Sequence, residues 1–451
     1  MKAKILTIFI FLFVQVFGLA VLASGSDDKF SFDEKINYIN YPFFEKFGDQ
    51  HLLYYIKQAV LHNHKAKSAF YKSQEFRYEI GESFSKQLPN LNVASNYLGL
   101  NVPNLDNFQL DKNAFILPFQ LNWEFDLLGK NSNKTKSVKK LFLSQKFDEQ
   151  NSYIMLVSDV FTTYVNILKF DKTIGVEKEI LDNQKEIYEK NEKRFKNGVI
   201  SKIDLNNSKL NLQTRRQEIL ELEKKRKFLL DELAYFISDS AYNSSELKRG
   251  QFDNFGQNVE IPCEISSDLI LERPDLNAKF EKIKSARYDL LVAKKDFFPT
   301  FKITGLYALS TLSGGNFFSW NSTFAALIAG ATQDIFSGGR KKSFLKKQNA
   351  KYNRVLEEFL DTNYNAIKEV NDALYSAKFN LKILGAMGDK LNKRAQNLLM
   401  DKKRYFCGVL SRLDYLESEN KFLEEEQYYV EQKSTKFIDL ISLYKAVGGR
   451  L

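Results

Sequence analysis

The chain is written twice. Adding 210 to a position in the first half reproduces the punctuation of the second. Leu88-Pro89-Asn90-Leu91 falls on Phe298-Pro299-Thr300-Phe301. Arg194-Phe195-Lys196-Asn197-Gly198-Val199-Ile200-Ser201 falls on Arg404-Tyr405-Phe406-Cys407-Gly408-Val409-Leu410-Ser411. Asp126-Leu127-Leu128-Gly129-Lys130 lands within two or three residues of Asp334-Ile335-Phe336-Ser337-Gly338-Gly339-Arg340. Three anchors in one order, at one nearly constant spacing, define a duplicated structural unit. The chain must therefore fold as two similar halves, here 49–238 and 267–451, joined by a Ser-, Asn- and Gly-rich linker at 239–266.

Each half reads in the same way. The pattern predicts a first helix over 50–87 or 267–297, stopped at Pro89 or Pro299 because proline disfavours helix in the residue before it. Two extended segments follow, and a glycine turn leads into a helix of about 65 residues at 131–196 or 341–406. Gly198 and Gly408 stand where a C-capping glycine ends a helix. Ser201 and Ser411 stand where an N-cap opens the next helix, which runs back for about 35 residues. At 1.5 Å per residue the long helices reach about 100 Å, too long for an ordinary globular domain. The last helix carries a heptad seam from Leu413 through Leu416, Asn420, Leu423, Gln427, Val430, Ser434, Phe437 and Ile441 to Tyr444. Leu205, Leu212, Ile219, Leu222, Leu229, Leu233 and Phe236 form a comparable seam in the first half, out of phase under the 210 shift. The repeat is one of architecture rather than of every packing contact.

The extended segments separate this chain from a soluble coiled coil. Strands are expected at 91–100 and 115–127, and again at 301–310 and 324–335. From Phe115 to Leu127 every odd position is large and apolar, and the even positions from Pro118 onward are Pro, Gln, Asn, Glu and Asp. Period-two alternation gives one apolar and one wet face, and aromatics near the strand ends fit a membrane-interface girdle. Phe324–Ile335 is rich in Ala and lacks clean alternation. Pro118 removes a donor from the ladder and belongs at a bulge or rim. Four strands cannot close a barrel around a lumen. Open edges in hydrocarbon leave donors and acceptors unpaired at several kcal/mol each. Several copies must therefore share one barrel.

The ends and the composition agree. Lys2 and Lys4 precede an apolar run from Ile5 to Leu22, then Ala23 and a polar stretch, the order of a secretory signal peptide over 1–23. The run is also long enough for a marginal membrane anchor, but the order of its segments favours removal. Residues 24–48 then read as an N-terminal extension. Of the net charge of +10, the two signal lysines supply 2. The rest is interleaved, as in Glu221-Leu222-Glu223-Lys224-Lys225-Arg226, which is a solvated helix surface and not a nucleic-acid footprint. Only Cys263 and Cys407 occur, too few for a disulfide-stapled fold, and they lie far apart along the expected topology, so both are expected as free thiols.

The chain resembles TolC-like outer-membrane efflux proteins, in the NodT/OprM-like branch that serves resistance-nodulation-division pumps. The resemblance is carried by Trp123-Glu124-Phe125-Asp126-Leu127-Leu128-Gly129-Lys130, Leu271-Glu272-Arg273-Pro274-Asp275-Leu276 and Ala293-Lys294-Lys295-Asp296-Phe297-Phe298-Pro299-Thr300-Phe301. The closing Leu443-Tyr444-Lys445-Ala446-Val447-Gly448-Gly449 adds to it, and together these pieces cover about 50–451. The resemblance implies an α+β, mostly helical fold. Paired long helices would form a periplasmic α-barrel, and four strands per protomer would enter a shared outer-membrane β-barrel. It implies a homotrimer in outer-membrane lipid that docks a periplasmic adaptor protein and an inner-membrane pump. Many members of the branch are lipid-anchored at a cysteine beside the cleavage site; this chain has none there.

By the same resemblance, the helix corners are the gate. Matching Tyr-x-x-Gly at Tyr405–Gly408 places Asp414 and Glu417 at the periplasmic constriction, three apart and so on one helix face. Asp204 is the first-half equivalent, whose family role is to bond across the corner to a basic residue. That basic position is Leu410 here, and Arg412 is the candidate substitute. Gly198, Val199, Gly408 and Val409 would form the adaptor-facing tips. A simpler reading is that Asp204 and Asp414 cap helix starts, where acids are favoured. No catalytic, cofactor or metal residues are expected: phosphate-loop, nucleophile-elbow and paired-cysteine motifs are missing. His62 and His64 are two apart and do not share a helix face. Function therefore lies between a passive export duct and a secreted coiled-coil scaffold or adhesin, which would keep the helices but not the amphipathic strands.

Overall fold

A computed structural model describes residues 38–99, 113–238, 247–257, 259–260, 262, 265–266, 268–311 and 323–451. The expected signal segment, Leu100 at the end of the first strand and Cys263 lie outside the described residues. The α-helices of five or more residues are α1 (Tyr41–Glu45), α2 (Gln50–His62), α3 (His64–Ser85), α4 (Lys130–Lys196), α5 (Lys202–Ile237), α6 (Pro274–Lys295), α7 (Arg340–Phe406) and α8 (Arg412–Ala446), and a single helical turn, Asp268–Leu271, precedes α6. The strands are β1 (Asn90–Val93), β2 (Asn96–Gly99), β3 (Asn113–Phe125), β4 (Thr300–Thr311) and β5 (Thr323–Thr332). Both long helices, α4 and α7, run 67 residues.

The first helix of each half is broken, and at equivalent places. Asn63 is extended (φ −60°, ψ 126°); its side chain accepts from the N–H of Lys65 and Ala66, capping α3, and donates to the Phe236 carbonyl at 3.0 Å. In the second half Arg273, 210 residues on, precedes Pro274, the first residue of α6. Proline suits that position because its missing N–H would have no helical partner.

The chain divides into two compact units. The first comprises Tyr71–Lys146 and Ala278–Leu360 and holds the sheet. The sheet is antiparallel throughout: β3 pairs with β4 from Phe115↔Thr311 to Phe125↔Phe301, and β4 pairs with β5 from Thr300↔Thr332 to Leu309↔Thr323. The Ala-rich segment is thus a strand, although it stops at Thr332 and leaves Ile335 and Phe336 outside the ladder. The expected strand 91–100 is two strands, β1 and β2, both in one register on β3. The gap, Ala94-Ser95, faces Leu117-Pro118, where Ala94 donates to the Pro118 carbonyl at 3.1 Å and Pro118 has no N–H to contribute to the ladder.

Below the sheet α4 and α6 run antiparallel, stitched by polar contacts. Lys130 pairs with Asp296 at 2.5 Å, Lys134 with Asp289 at 3.2 Å and Lys140 with Glu281 at 2.9 Å. Ser137 bonds Asp289 and the Ser285 hydroxyl. Burial alone would raise the Asp289 carboxyl, but Lys351, Ser137 and Lys134 hold it below the usual carboxylate range. The expected strand end at Leu127 is instead a turn: β3 stops at Phe125, Gly129 takes φ +70°, and Asp126 accepts from the N–H groups of Asn131 and Ser132. Asp126 thereby satisfies two free donors of the first α4 turn.

The second unit, Ser31–Phe70, Phe147–Asn277 and Asp361–Leu451, holds the main core. Its centre is α4, on which Tyr153, Val157, Val160, Phe161, Tyr164, Val165 and Leu168 are fully buried. Residues expected to be extension or linker belong to this core. Phe43, Phe44 and Phe47 pack on Phe161 and Tyr444, with Phe43 stacked on Tyr444 at 4.6 Å. Phe255 stands edge-on to Phe437 at 5.1 Å. Gly256 (φ +61°) lets that loop pass, since a Cβ there would lie 2.5 Å from the Phe437 ring. Of the α8 seam, Leu416, Asn420, Leu423, Val430, Ser434, Phe437, Ile441 and Tyr444 are buried, while Leu413 and Gln427 are half-buried.

Candidate gate at the helix corners

Two tight corners in the second unit join the long helices to their return helices. At each, the chain leaves the helix through a left-handed glycine, Gly198 (φ +71°) and Gly408 (φ +75°). Val199 donates to the Arg194 carbonyl at 2.8 Å and Gly198 to that of Phe195 at 2.9 Å. Val409 and Gly408 repeat the pair onto Arg404 and Tyr405 at 2.9 and 3.0 Å. These are Schellman closures, and they need the positive φ that glycine adopts without strain. The next helix is then capped. Ser201 accepts from the Asp204 N–H while Asp204 accepts from the Ser201 N–H, and Ser411 repeats the first of these bonds with Asp414.

Asp204 thus closes a capping box, whereas the Asp414 carboxylate accepts from the Ser411 hydroxyl at 2.6 Å and Ser411 is the cap. Hydrogen bonds from the Ser201 hydroxyl and N–H hold the Asp204 carboxyl below its ordinary range. Both aspartates are exposed, as is Glu417, which makes no ion pair among the described residues. Val199 and Val409 project into solvent at the tips.

The basic residue at the corner closes on a different acid from the one expected. Arg412 forms a two-pronged bond to Glu186 of α4, Nε to Oε1 at 2.8 Å and Nη2 to Oε2 at 2.6 Å. Its guanidinium also lies over the rings of Tyr405, at 5.6 Å, and Tyr415, at 5.3 Å, which stack on each other at 5.5 Å and 21°. The bonds from Arg412 hold the Glu186 carboxyl below its usual range, and the Arg412 guanidinium is raised in return. Tyr405, a residue singled out from the sequence, is thus one wall of the cluster, whereas Asp204 takes no part in it. Glu186 and Tyr415 had no local signal. Glu186 is one of many acids on a 67-residue helix, 226 positions from its partner.

Polar layers continue behind this cluster. Asn183 bonds Asn420 at 2.9 Å, and Gln427 bonds Glu177 at 2.7 Å. Arg215 of α5 gathers Glu177, Glu218 and Glu424. Burial raises the Glu177 carboxyl in spite of Arg215. Between these layers sits a small apolar one of Val176, Ile180 and Leu423. The α4–α8 contact near the corner is therefore predominantly polar, while the other end of α8 is anchored by the aromatic core. Such a seam separates at lower cost than an apolar one, because its groups regain water on opening.

Comparison with known proteins follows the same division into halves. The family model described as "Outer membrane efflux protein" matches residues 55–234 and 265–449, one match per half. Among curated relatives, the cation efflux system protein CusC of Escherichia coli K12 is 23% identical over 423 residues, covering 92% of this chain and 90% of the relative. The outer membrane protein OprJ of Pseudomonas aeruginosa is 24% identical over 329 residues, 72% of this chain and 68% of the relative. Among solved structures, the CmeC outer membrane channel of Campylobacter jejuni superposes with a TM-score of 0.82 at 22% identity, covering 91% of this chain and 88% of that one. The open state of the Neisseria gonorrhoeae MtrE channel gives 0.79 at 20% identity, covering 89% of each.

Proposed function

Because the chain belongs to the outer membrane efflux protein family, we propose that it is the outer-membrane duct of a tripartite exporter, a trimer that conducts small molecules passively and is shut at its helix corners. The antiparallel sheet supports the assembly. Its outer edges, β1/β2 and β5, have no further strand partner among the described residues, and in hydrocarbon such edges require neighbouring copies. The observation that carries the gate is the Arg412–Glu186 bond with its two tyrosines, which ties the start of α8 to α4.

In the closed duct this latch holds the α7–α8 corner against α4, and opening swings the corner away. Asp414 and Glu417, exposed beside the latch, would be repeated around the axis as a negative ring that favours cations and resists collapse. Asp204 contributes as the cap of α5. The tips at Gly198–Val199 and Gly408–Val409 are the surface offered to a periplasmic adaptor, and the energy for transport comes from an inner-membrane pump. Relatives are named for cation, antibiotic and toluene efflux, so the family spans several exported classes. The test is to purify the mature protein and reconstitute it in planar bilayers. A heat-modifiable, detergent-requiring trimer with discrete, mostly closed conductance supports the reading. A stable water-soluble monomer refutes it and favours the scaffold alternative.

A further inference from the structure

The helix-side end of the sheet carries a repeated feature that the duct itself does not use. Leu127-Leu128 follows β3 and Ile335-Phe336 follows β5, at equivalent points of the two halves. Both pairs lie outside the ladder and are exposed, and Ile335 and Phe336 are 98% and 90% accessible. The long helices that follow begin with unusual charge. No acid occurs between Lys130 and Asp148, or between Arg340 and Glu357, while those stretches hold six and seven basic residues. Cations at a helix start oppose its dipole, so the arrangement costs stability unless something anionic compensates it.

What compensates differs from one cation to the next. On α7, Lys351 pairs with Asp289 at 2.8 Å and Arg354 pairs with Glu358. Lys342, Lys346 and Lys347, nearer the sheet, are exposed and make no ion pair among the described residues. At 1.5 Å per residue they lie about 3 to 10 Å along the helix from its start, whereas Lys351 and Arg354 lie about 16 to 21 Å along it. A bilayer headgroup layer is about 5 to 7 Å deep, and lysine side chains snorkel toward it. Arg340 and Lys341, at the helix start itself, pair with Asp334 at 3.2 and 3.4 Å, so Lys342, Lys346 and Lys347 are the cations within reach of headgroups that the protein leaves unpaired.

We propose that this rim, Ile335-Phe336 with Lys342, Lys346 and Lys347, is a docking surface for anionic phospholipid of the leaflet facing the helices. Leu127-Leu128 with Lys136 and Lys139 echoes it in the first half. The apolar pair enters the acyl boundary, and the lysines meet headgroup phosphates below it. The inference rests on the outer-membrane reading and adds a lipid class to it.

The test uses the detergent-purified full-length assembly, titrated by native mass spectrometry with phosphatidylglycerol and with phosphatidylcholine of the same chains. The wild type is expected to prefer phosphatidylglycerol. K342Q/K346Q/K347Q is expected to weaken that binding about 100-fold, about fivefold per lysine. K224Q/K225Q/K227Q on α5, of equal charge change, should leave it unaltered. Equal binding of the two lipids by the wild type overturns the proposal. So does a rim variant whose assembly dissociates while phosphatidylglycerol binding persists, since the lysines would then face a second copy of the chain. A protein that conducts in bilayers but shows no lipid preference defeats this inference alone; one that neither inserts nor conducts defeats the reading beneath it.

Discussion

Removing the latch should open the duct by an amount that depends on which partner is removed. Arg412→Gln deletes the ion pair and both ring contacts, whereas Glu186→Gln leaves the guanidinium over Tyr405 and Tyr415. The pair is about one-third exposed on each side, so solvent screens it. It is worth about 1 kcal/mol, and each cation–ring contact about 0.5 kcal/mol. Arg412→Gln therefore loses about 2 kcal/mol per protomer, a factor of about 30, and Glu186→Gln about 1 kcal/mol, a factor of about 5. If the three protomers of the proposed trimer open together, these become about 6 and 3 kcal/mol, or factors of about 10⁴ and 10². Single-channel recording in planar bilayers reads the closed-to-open ratio directly. The acid dependence has a fixed sign. Glu186 is depressed in the folded chain, so the latch is complete above the ordinary carboxylate range and is lost as pH falls through the lowered value. Opening should therefore rise in the wild type as pH falls through that lowered value, and this rise should be missing in Glu186→Gln. If Arg412→Gln leaves the closed dwell times unchanged, or if the two substitutions add without coupling in the double variant, the latch is not the gate.

Asp414→Ala with Glu417→Ala should lower cation selectivity, read as a shifted reversal potential under a salt gradient; an unmoved potential removes both from the constriction. Gly198→Ala and Gly408→Ala should each cost about 1 kcal/mol in denaturant unfolding, purely from the positive φ, because no atom lies within 4 Å of the added methyl group. A much larger loss would mean that the corner is packed in the assembly. Cys407 is exposed, and both cysteines should be alkylated in the unreduced protein, giving two adducts by mass spectrometry; an intramolecular bridge contradicts the topology.

Several departures from the sequence reading share a cause: the signal was local, but its consequence fell on another element. Pro118 was visible as a missing donor, but only the pairing shows that the neighbouring strand divides opposite it. The break at Asn63 was hidden because Asn is tolerated within a helix, and its cap and its bond to Phe236 come from folding. Its counterpart was legible in principle, since Arg273-Pro274 lies at the same 210 spacing. Phe43, Phe44 and Phe47 were assigned to an extension because three apolar residues in a short stretch show no period; their partners are residues 161, 255, 437 and 444.

By itself the sequence determined the duplicated halves, the long helices, both corners and the amphipathic ribbon, and through these the membrane. Each is written in spacing: period two, period three and four, and glycine and serine at set offsets, because backbone geometry imposes those periods locally. Only the tertiary structure decided which acid faces Arg412, which cations stay unpaired at the rim, and that the apparent linker is core. Charge pairing depends on distance in space, and two 67-residue helices offer many acids and bases between which sequence spacing cannot choose.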